Sequence, residues 1–172
     1  MNPAPDHFEL FGLPQQFAVD RAALDERYRE LQRTVHPDRY ATAGAAERRA
    51  SMQLATRVNE AYRTLREPLA RGRYLLGLHG VDPETESNTS MPAGFLMEQM
   101  ELREAIEDAA GDPGRLDRID IRLRAELEGA YRAMGGELDR AEHKSAAETL
   151  RKLMFLEKLR EELGDAMERL DA

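Results

Sequence analysis

The 172-residue chain contains no cysteine and no tryptophan, and only 6% of its residues are aromatic. Without cysteine it forms neither disulfide bonds nor thiolate metal sites, a composition that fits a cytoplasmic protein. Its four histidines are scattered along the chain and lack the spacing of zinc ligands. We therefore predict no bound metal and no cofactor, and a core built mainly from Leu, Ala and Met.

Long apolar segments and an excess of positive charge are also missing. No apolar run approaches the length needed to cross a membrane, and residues 1–6 lack the basic and apolar regions of a signal peptide. The formal charge of −8 and the isoelectric point near 5.1 argue against nucleic acid as a partner, because its affinity depends largely on neutralised phosphates. We therefore expect an acidic protein that binds neither nucleic acid nor a membrane.

What the chain does contain is the composition of an all-α protein. Hydrophobic residues make up 41% of it and charged residues 34%, and few segments alternate as strands do. Apolar periodicity, prolines and glycines predict longer helices at 21–35, 47–67, 68–80, 92–110, 115–134 and 141–170. In this prediction, Gly135-Gly136 ends the fifth of these helices.

The stretch 81–92 divides this series of helices in two. It is polar and contains two prolines, which is the composition of a linker. We therefore predict a first domain at 1–80 and a second domain at 93–172. The second domain is expected to be a bundle of three amphipathic helices joined by short turns.

The tripeptide His36-Pro37-Asp38 joins the first two of these helices. Asp20 suits the N-cap of the helix 21–35, and Pro37 disfavours helical backbone at His36, so this helix is expected to end there. At about 100° per residue, the apolar residues of the helix fall on one arc, which we expect to be buried. They are Leu24, Tyr28, Leu31 and Val35.

A basic stripe runs beside that arc and leads to the tripeptide. It includes Arg29 and Arg33, with Asp25 to offset them, and the imidazole of His36 projects onto the same side. Three interpretations of His36 and Asp38 are open: an acid–base dyad of an enzyme, a purely structural turn, or a rigid loop that a partner recognises. No nucleophile, metal-binding set or oxyanion element is evident beside such a dyad.

The helix 47–67 favours recognition. Its predicted core-facing stripe can pack antiparallel on the preceding helix. The stripe consists of Ala50, Leu54, Val58 and Tyr62, with Leu65 behind them. The chain resembles a J-domain in its order of a helix, a His-Pro-Asp loop and a second helix that carries the segment VNEAY at 58–62. Residues 6–13 are similar to the short first helix of that family.

The resemblance to a J-domain implies a partner, a DnaK-type chaperone whose ATP hydrolysis is stimulated. In that family the loop and the basic face of the second helix do this work. The corresponding residues of this chain are His36, Pro37, Asp38, Arg29 and Arg33. Glu30 stands where many J-domains are basic, so the stripe here is narrower than usual.

The helix 92–110 carries two apolar arcs rather than one. Phe95, Leu102 and Ile106 form the first, with Gln99 at its edge. The second lies about a third of a turn away and is bordered by acidic residues. It consists of Leu96, Met97 and Met100, with Glu101 and Glu104 beside it. This second arc is either covered by another helix of the same domain or is a partner site to which Met supplies adaptable contacts.

Three segments of the second half, 73–80, 95–104 and 151–160, resemble the HscB family of co-chaperones in iron–sulfur cluster biogenesis. The resemblance extends from Asp6 to the last helix with the same domain order. It implies two partners, the DnaK-type chaperone HscA and the cluster scaffold IscU. The scaffold-binding residues that it implies are Leu96, Met97, Met100, Glu101, Glu104 and Phe155. Met100 stands where the family can have Leu, which keeps the position apolar.

The sequence is therefore interpreted as an adaptor with two binding faces and no catalytic activity of its own. Its J-domain would favour ATP hydrolysis by HscA, and its bundle would deliver IscU to that chaperone. A general J-protein for unfolded clients is one alternative, although the chain has no Gly/Phe-rich segment and no cysteine-rich zinc module. A small enzyme using His36 and Asp38 is the other.

Overall fold

The computed structural model describes residues 5–35, 44–82 and 91–170, which form seven α-helices and no strand. The all-α prediction is confirmed. The helices are α1 (His7–Phe11), α2 (Arg21–Val35), α3 (Ala45–Arg66), α4 (Pro68–Leu78), α5 (Ala93–Asp108), α6 (Pro113–Asp139) and α7 (His143–Glu168).

The chain divides into two compact units, Met1–Leu75 and Leu76–Ala172, and the division falls within α4. Most of the predicted linker at 81–92 lies outside the described residues. The predicted domain bounds, 1–80 and 93–172, therefore stay a prediction.

Acidic side chains cap the first two helices. Asp6 and Glu9 form a capping box at α1, in which each carboxylate accepts the other residue's amide hydrogen at 2.9 Å. At α2 the Asp20 carboxylate accepts from the amides of Ala22 and Ala23 at 2.9 and 3.1 Å. Asp20 therefore has the role that the sequence predicted, and α2 begins where its free amides are satisfied.

Helices α2 and α3 pack antiparallel in the first unit. Near one end of this pair the Tyr62 hydroxyl donates to Asp25, and near the other the Ser51 hydroxyl donates to the backbone carbonyl of Val35. Of the predicted α2 arc, Leu24 and Val35 are buried, whereas Tyr28 and Leu31 are half-buried. The buried arc was thus placed on the correct side of α2.

The predicted stripe on α3 was partly wrong, because Ala50 and Leu54 are exposed. The buried positions of this helix are Ser51, Val58, Ala61 and Leu65. Four residues span about 400°, so a series of strict four-residue steps turns about 40° further around the helix at each step. A mixture of three- and four-residue steps stays on one face, which is what the buried positions show.

In the second unit α5, α6 and α7 form the predicted three-helix bundle. Successive helices are antiparallel, and α5 and α7 run in the same direction because Phe95 meets Phe155 and Arg103 meets Glu162. The α6 side of the core is formed by Leu116, Leu123, Leu127 and Met134. On α7 Leu153, Leu156, Leu159 and Leu163 are all buried.

The predicted helix end at Gly135-Gly136 is wrong. Helix α6 continues through both glycines to Asp139, and the chain turns at Ala141, whose φ is 57°. Each glycine costs about 1 kcal/mol relative to alanine in a helix interior. Buried Met134 keeps this part of α6 in the bundle core, and that packing offsets the cost of the glycines.

A pair of substitutions on α3 tests this packing. Leu65 is fully buried, so Leu65→Ala should lower the free energy of unfolding by about 2–5 kcal/mol through loss of buried area and a residual cavity. The matched control is Leu54→Ala, because Leu54 is 41% exposed, and it should stay within about 0.5 kcal/mol. Urea unfolding of both variants measures the difference, and equal losses would contradict the burial described here.

Candidate functional site

The basic stripe on α2 is exposed in the first unit. Arg29 and Arg33 lie one turn apart on the surface, and the Arg29 Nε atom donates to the backbone carbonyl of Asp25 at 3.2 Å. Arg27 pairs with Glu30 at 3.6 Å, but both side chains are more than half exposed, so this pair contributes little to stability. Both predicted arginines are therefore on the surface of the first unit.

A polar and aromatic cluster fixes the rotation of α2 against α3. The rings of Tyr28 and Tyr62 stack with centroids 3.9 Å apart. The Tyr28 hydroxyl donates to the Asn59 side-chain oxygen at 2.9 Å, and the Gln32 amide donates to the same oxygen and to the Tyr28 hydroxyl. Sequence reasoning missed the structural role of Gln32 and Asn59, since polar residues at the edge of an apolar arc give no periodic signal.

Asp25 takes part in the contact between α2 and α3. Its carboxylate accepts the Tyr62 hydroxyl at 2.8 Å, and this hydrogen bond, with burial as the second cause, raises the pKa of Tyr62. That contact ties the Asp25 carboxylate of α2 to α3.

The tripeptide His36-Pro37-Asp38 lies outside the described residues. The structure does describe the residue directly before it, since α2 extends to Val35. Val35 is buried, and its carbonyl accepts a hydrogen bond from the buried Ser51 hydroxyl at 2.9 Å. This contact anchors the last turn of α2 to α3.

On α5 the two apolar arcs have different environments. Leu102 and Ile106 are buried in the bundle, Gln99 is buried with them, and Phe95 is half-buried. The second arc is exposed, with Leu96 at 37%, Met97 at 62% and Met100 at 61%. Within the part of the chain that the structure describes, no other helix covers this arc, so the alternative of a second core face does not hold there.

The other predicted scaffold-binding residues lie around the second arc. Glu101 and Glu104 are exposed on α5. Phe155 of α7 is half-buried, and its ring meets Phe95 edge-on with centroids 6.0 Å apart. Phe155 therefore touches α5 next to Leu96, where the exposed arc begins.

A charged contact holds α5 and α7 side by side. The Arg103 guanidinium donates twice to the Glu162 carboxylate, at 2.8 and 3.1 Å, and this partner raises the pKa of Arg103. Bidentate geometry of this kind fixes orientation as well as distance. Together with the buried arc, it holds α5 with Leu96, Met97 and Met100 outward.

The described residues lack a metal-binding cluster and a membrane-spanning helix. In residues 5–35, 44–82 and 91–170, no group of three or more His, Asp or Glu side chains is arranged to hold a metal ion. Within those ranges, no helix is both long and apolar enough to cross a membrane. His79 and His143 stack at 4.2 Å, which brings two imidazoles together without a third ligand.

Comparison with known proteins identifies the family. A co-chaperone protein HscB homolog of Burkholderia multivorans is 53% identical over 167 residues, covering 96% of this chain and 95% of the relative. Another, of Ralstonia nicotianae, is 51% identical over 175 residues and covers 99% of both chains. The chain belongs to the HscB co-chaperone family. A family model described as the HSCB C-terminal oligomerisation domain matches residues 91–164.

Solved HscB structures share this fold. Chaperone HscB from Vibrio cholerae is 38% identical, covers 96% of this chain and 99% of its own, and has a TM-score of 0.88. The crystal structure of human co-chaperone protein HscB is 30% identical, with a TM-score of 0.92 over 100% of this chain and 86% of the human chain. The HscB resemblance inferred from the sequence is confirmed, and the individual site residues stay predictions.

Truncations on the two arcs of α5 should differ in how much they destabilise the fold. Leu102 is 4% exposed, so Leu102→Ala should cost about 2–5 kcal/mol of stability. Met97→Ala and Met100→Ala remove exposed side chains and should change the free energy of unfolding by about 0.5 kcal/mol or less. Thermal and urea unfolding of the three variants decide this, and a large loss for either methionine variant would show that its side chain belongs to the core.

Proposed function

We propose that the chain is a co-chaperone of iron–sulfur cluster assembly that connects two proteins. Its first unit stimulates ATP hydrolysis by the DnaK-type chaperone HscA, and its bundle binds the scaffold IscU and delivers it to that chaperone. The observation that carries the proposal is the exposed arc of Leu96, Met97 and Met100 on a member of the HscB family. On this proposal the chain activates a partner's ATPase and catalyses no reaction itself.

The face for the chaperone combines the tripeptide with the basic stripe. His36, Pro37 and Asp38 follow α2 directly, and Arg29 and Arg33 lie on its exposed side. Positive charge on this helix attracts an acidic surface of the chaperone over about 10 Å at ordinary ionic strength. The loop then supplies the specific contacts, and the arginines set the rate and orientation of the encounter.

The face for the scaffold is an apolar centre with an acidic border. Met97 and Met100 have flexible, polarizable side chains that adapt to a partner surface, and Leu96 adds a third apolar group. Glu101 and Glu104 beside them favour a partner that presents basic groups. Phe155, which contacts α5 through Phe95, extends this surface onto α7.

An adaptor can act without enzymatic activity of its own because one chain carries both binding faces. A scaffold bound to the bundle is held near the chaperone that binds the first unit, so its effective concentration there rises. The size of this gain depends on the connection between the domains at 1–80 and 93–172, which includes the predicted linker at 81–92. A cytoplasmic location, predicted from the cysteine-free composition, is part of the same proposal.

Substitution of the tripeptide tests the chaperone face. His36→Gln should abolish stimulation of HscA ATP hydrolysis, because it changes the recognition loop, and it should leave the helical circular dichroism unchanged. The control is His79→Gln, which changes an exposed histidine of the other unit and should stimulate normally. Steady-state ATPase assays with equal concentrations of each variant provide the measurement. Full stimulation by His36→Gln would refute this assignment.

Substitution of the exposed arc tests the scaffold face. Leu96→Ala, Met97→Ala or Met100→Ala should each weaken IscU binding by about 1–3 kcal/mol, the range of interface anchors. Leu96→Ala combined with Phe155→Ala should weaken it further.

The matched control for the exposed arc is Ile121→Ala, because Ile121 is 68% exposed on α6 and outside the proposed site. Calorimetric titration of IscU into each variant measures the affinities. Unchanged affinity for all three single variants would exclude the arc as the scaffold site.

A further inference from the structure

Methionine is the only sulfur-containing residue of this chain. The sequence has eight methionines and no cysteine, so it offers an oxidant thioethers and no thiol. Oxidation of a thioether depends on exposure, because the oxidant has to reach the sulfur atom. The positions of the exposed methionines therefore decide where oxidation can act.

Three of the seven methionines that the structure describes are exposed. Met52 of α3 is 60% exposed, and Met97 and Met100 of α5 are 62% and 61% exposed. The other four are buried or half-buried, namely Met91, Met134, Met154 and Met167. Two of the three accessible thioethers thus lie on one helix, in the arc that we propose for the scaffold.

The core of the bundle holds both of these thioethers outward. Met97 and Met100 are three residues apart, which places them about 60° apart around α5 and about 4.5 Å apart along it. Leu102 and Ile106 of the same helix are buried in the bundle. Met100 stands where the HscB family can have Leu, so here a thioether takes the place of a side chain without sulfur.

We propose that Met97 and Met100 are oxidation sites, and that peroxide switches scaffold binding off through them. This inference rests on the proposed function, because it needs the exposed arc to be the surface that contacts the scaffold. It adds a modification and a chemical signal to that surface. A chain without cysteine then responds to an oxidant through thioethers in place of thiols.

The modification is the transfer of one oxygen atom from hydrogen peroxide to each sulfur. The thioether sulfur attacks a peroxide oxygen, an S–O bond forms and the O–O bond breaks. The departing hydroxide takes the proton of the transferred oxygen and leaves as water. The sulfur is oxidised by two electrons and the peroxide is reduced by two, so methionine sulfoxide and water are the products. Methionine sulfoxide reductases reverse the step, one enzyme for each sulfoxide epimer, with electrons from thiols.

A sulfoxide changes the character of the arc from apolar to polar. Its oxygen is a hydrogen-bond acceptor, and the neighbouring carboxylates of Glu101 and Glu104 have no hydrogen to donate to it. Burying this oxygen against an apolar surface of the scaffold leaves it without a partner, which disfavours the complex. Each sulfoxide should therefore weaken scaffold binding about tenfold, which is about 1.4 kcal/mol.

The fold should tolerate this modification. Met97 and Met100 lie outside the bundle core, so their oxidation disrupts no internal packing. Met134, in contrast, is fully buried, and a sulfoxide at that position would disrupt the core. Because the core protects Met134, peroxide can change the binding surface while the bundle stays folded.

The coupling also acts in the opposite direction. A scaffold that covers the arc shields both sulfur atoms, so it should slow their oxidation. Because the two effects are linked, oxidation weakens scaffold binding by the same factor by which the bound scaffold disfavours oxidation. Peroxide would therefore act mainly on chains that carry no scaffold.

Mass spectrometry of peptides from the peroxide-treated, full-length chain tests the reactivity. Met52, Met97 and Met100 should be oxidised at similar rates, and Met134 should stay reduced. With IscU added first at ten times its Kd, about one chain in eleven is free, so oxidation of Met97 and Met100 should slow about tenfold. Oxidation of Met52, which lies in the first unit, should continue at its original rate.

Calorimetric titration with IscU, before and after treatment with hydrogen peroxide, tests the switch. The oxidised chain should bind about 10- to 100-fold more weakly, and treatment with both classes of reductase should restore the original affinity. Thermal unfolding of the oxidised chain, followed by circular dichroism, should match that of the reduced chain. A loss of affinity that accompanies a loss of helical structure would overturn the proposal.

Two matched variants locate the sensitive residues. The variant with Met97→Leu and Met100→Leu keeps an apolar arc without sulfur, so its affinity for IscU should not change on treatment with peroxide. The control variant is Met52→Leu, which removes an equally exposed thioether from the first unit. It should lose as much affinity on oxidation as the wild type does.

The results separate this inference from the proposed function. If the untreated wild type does not bind IscU, the proposed function fails and the switch fails with it. If the untreated wild type binds IscU and its oxidised form binds equally well, the proposed function stands and the switch is refuted. The switch is also refuted if the Met97→Leu, Met100→Leu variant remains as sensitive to peroxide as the wild type.

Discussion

Burial of Gln99, Leu102 and Ile106 against the rest of the bundle is the constraint on which the second unit depends. A helix in a three-helix bundle has one face to bury, and filling that face sets its rotation about its own axis. Once this rotation is set, the remaining apolar residues of α5 face solvent. The exposed methionines therefore follow from the core, and the Arg103–Glu162 contact holds the same orientation at the edge of the bundle.

In the first unit a mixed contact has the equivalent role. The stacked rings of Tyr28 and Tyr62, and the Asn59 oxygen that accepts from Tyr28 and Gln32, decide which side of α2 faces α3. Because these are directional contacts, they exclude rotations that apolar packing alone would tolerate. In each unit, such contacts therefore set the rotation of one helix about its own axis. They leave the charged side of α2 and the second apolar arc of α5 exposed.

The sequence predicted those parts of the fold for which local chemistry decides. Asp20 caps α2, and Leu24 and Val35 of the predicted arc are buried against the rest of the first unit. The prediction failed at two places where tertiary contacts decide the structure. Strict four-residue spacing placed Leu54 in the core, although it is exposed. Gly135-Gly136 was predicted to end a helix, whereas packing of α6 in the bundle keeps both residues helical. The exposure of Met97 and Met100 could not be predicted either, since a second apolar arc is compatible with both a core and a surface position.

The continuation of α6 to Asp139 affects where the chain can be cut. At 27 and 26 residues, α6 and α7 are each about 40 Å long, whereas α5 is about 24 Å, so the two long helices extend beyond the beginning of α5. Near the start of α7, His79 stacks on His143. Leu76, three residues before His79, is fully buried. A fragment that begins at α5 loses this segment, so a stable isolated bundle should begin at or before Leu76.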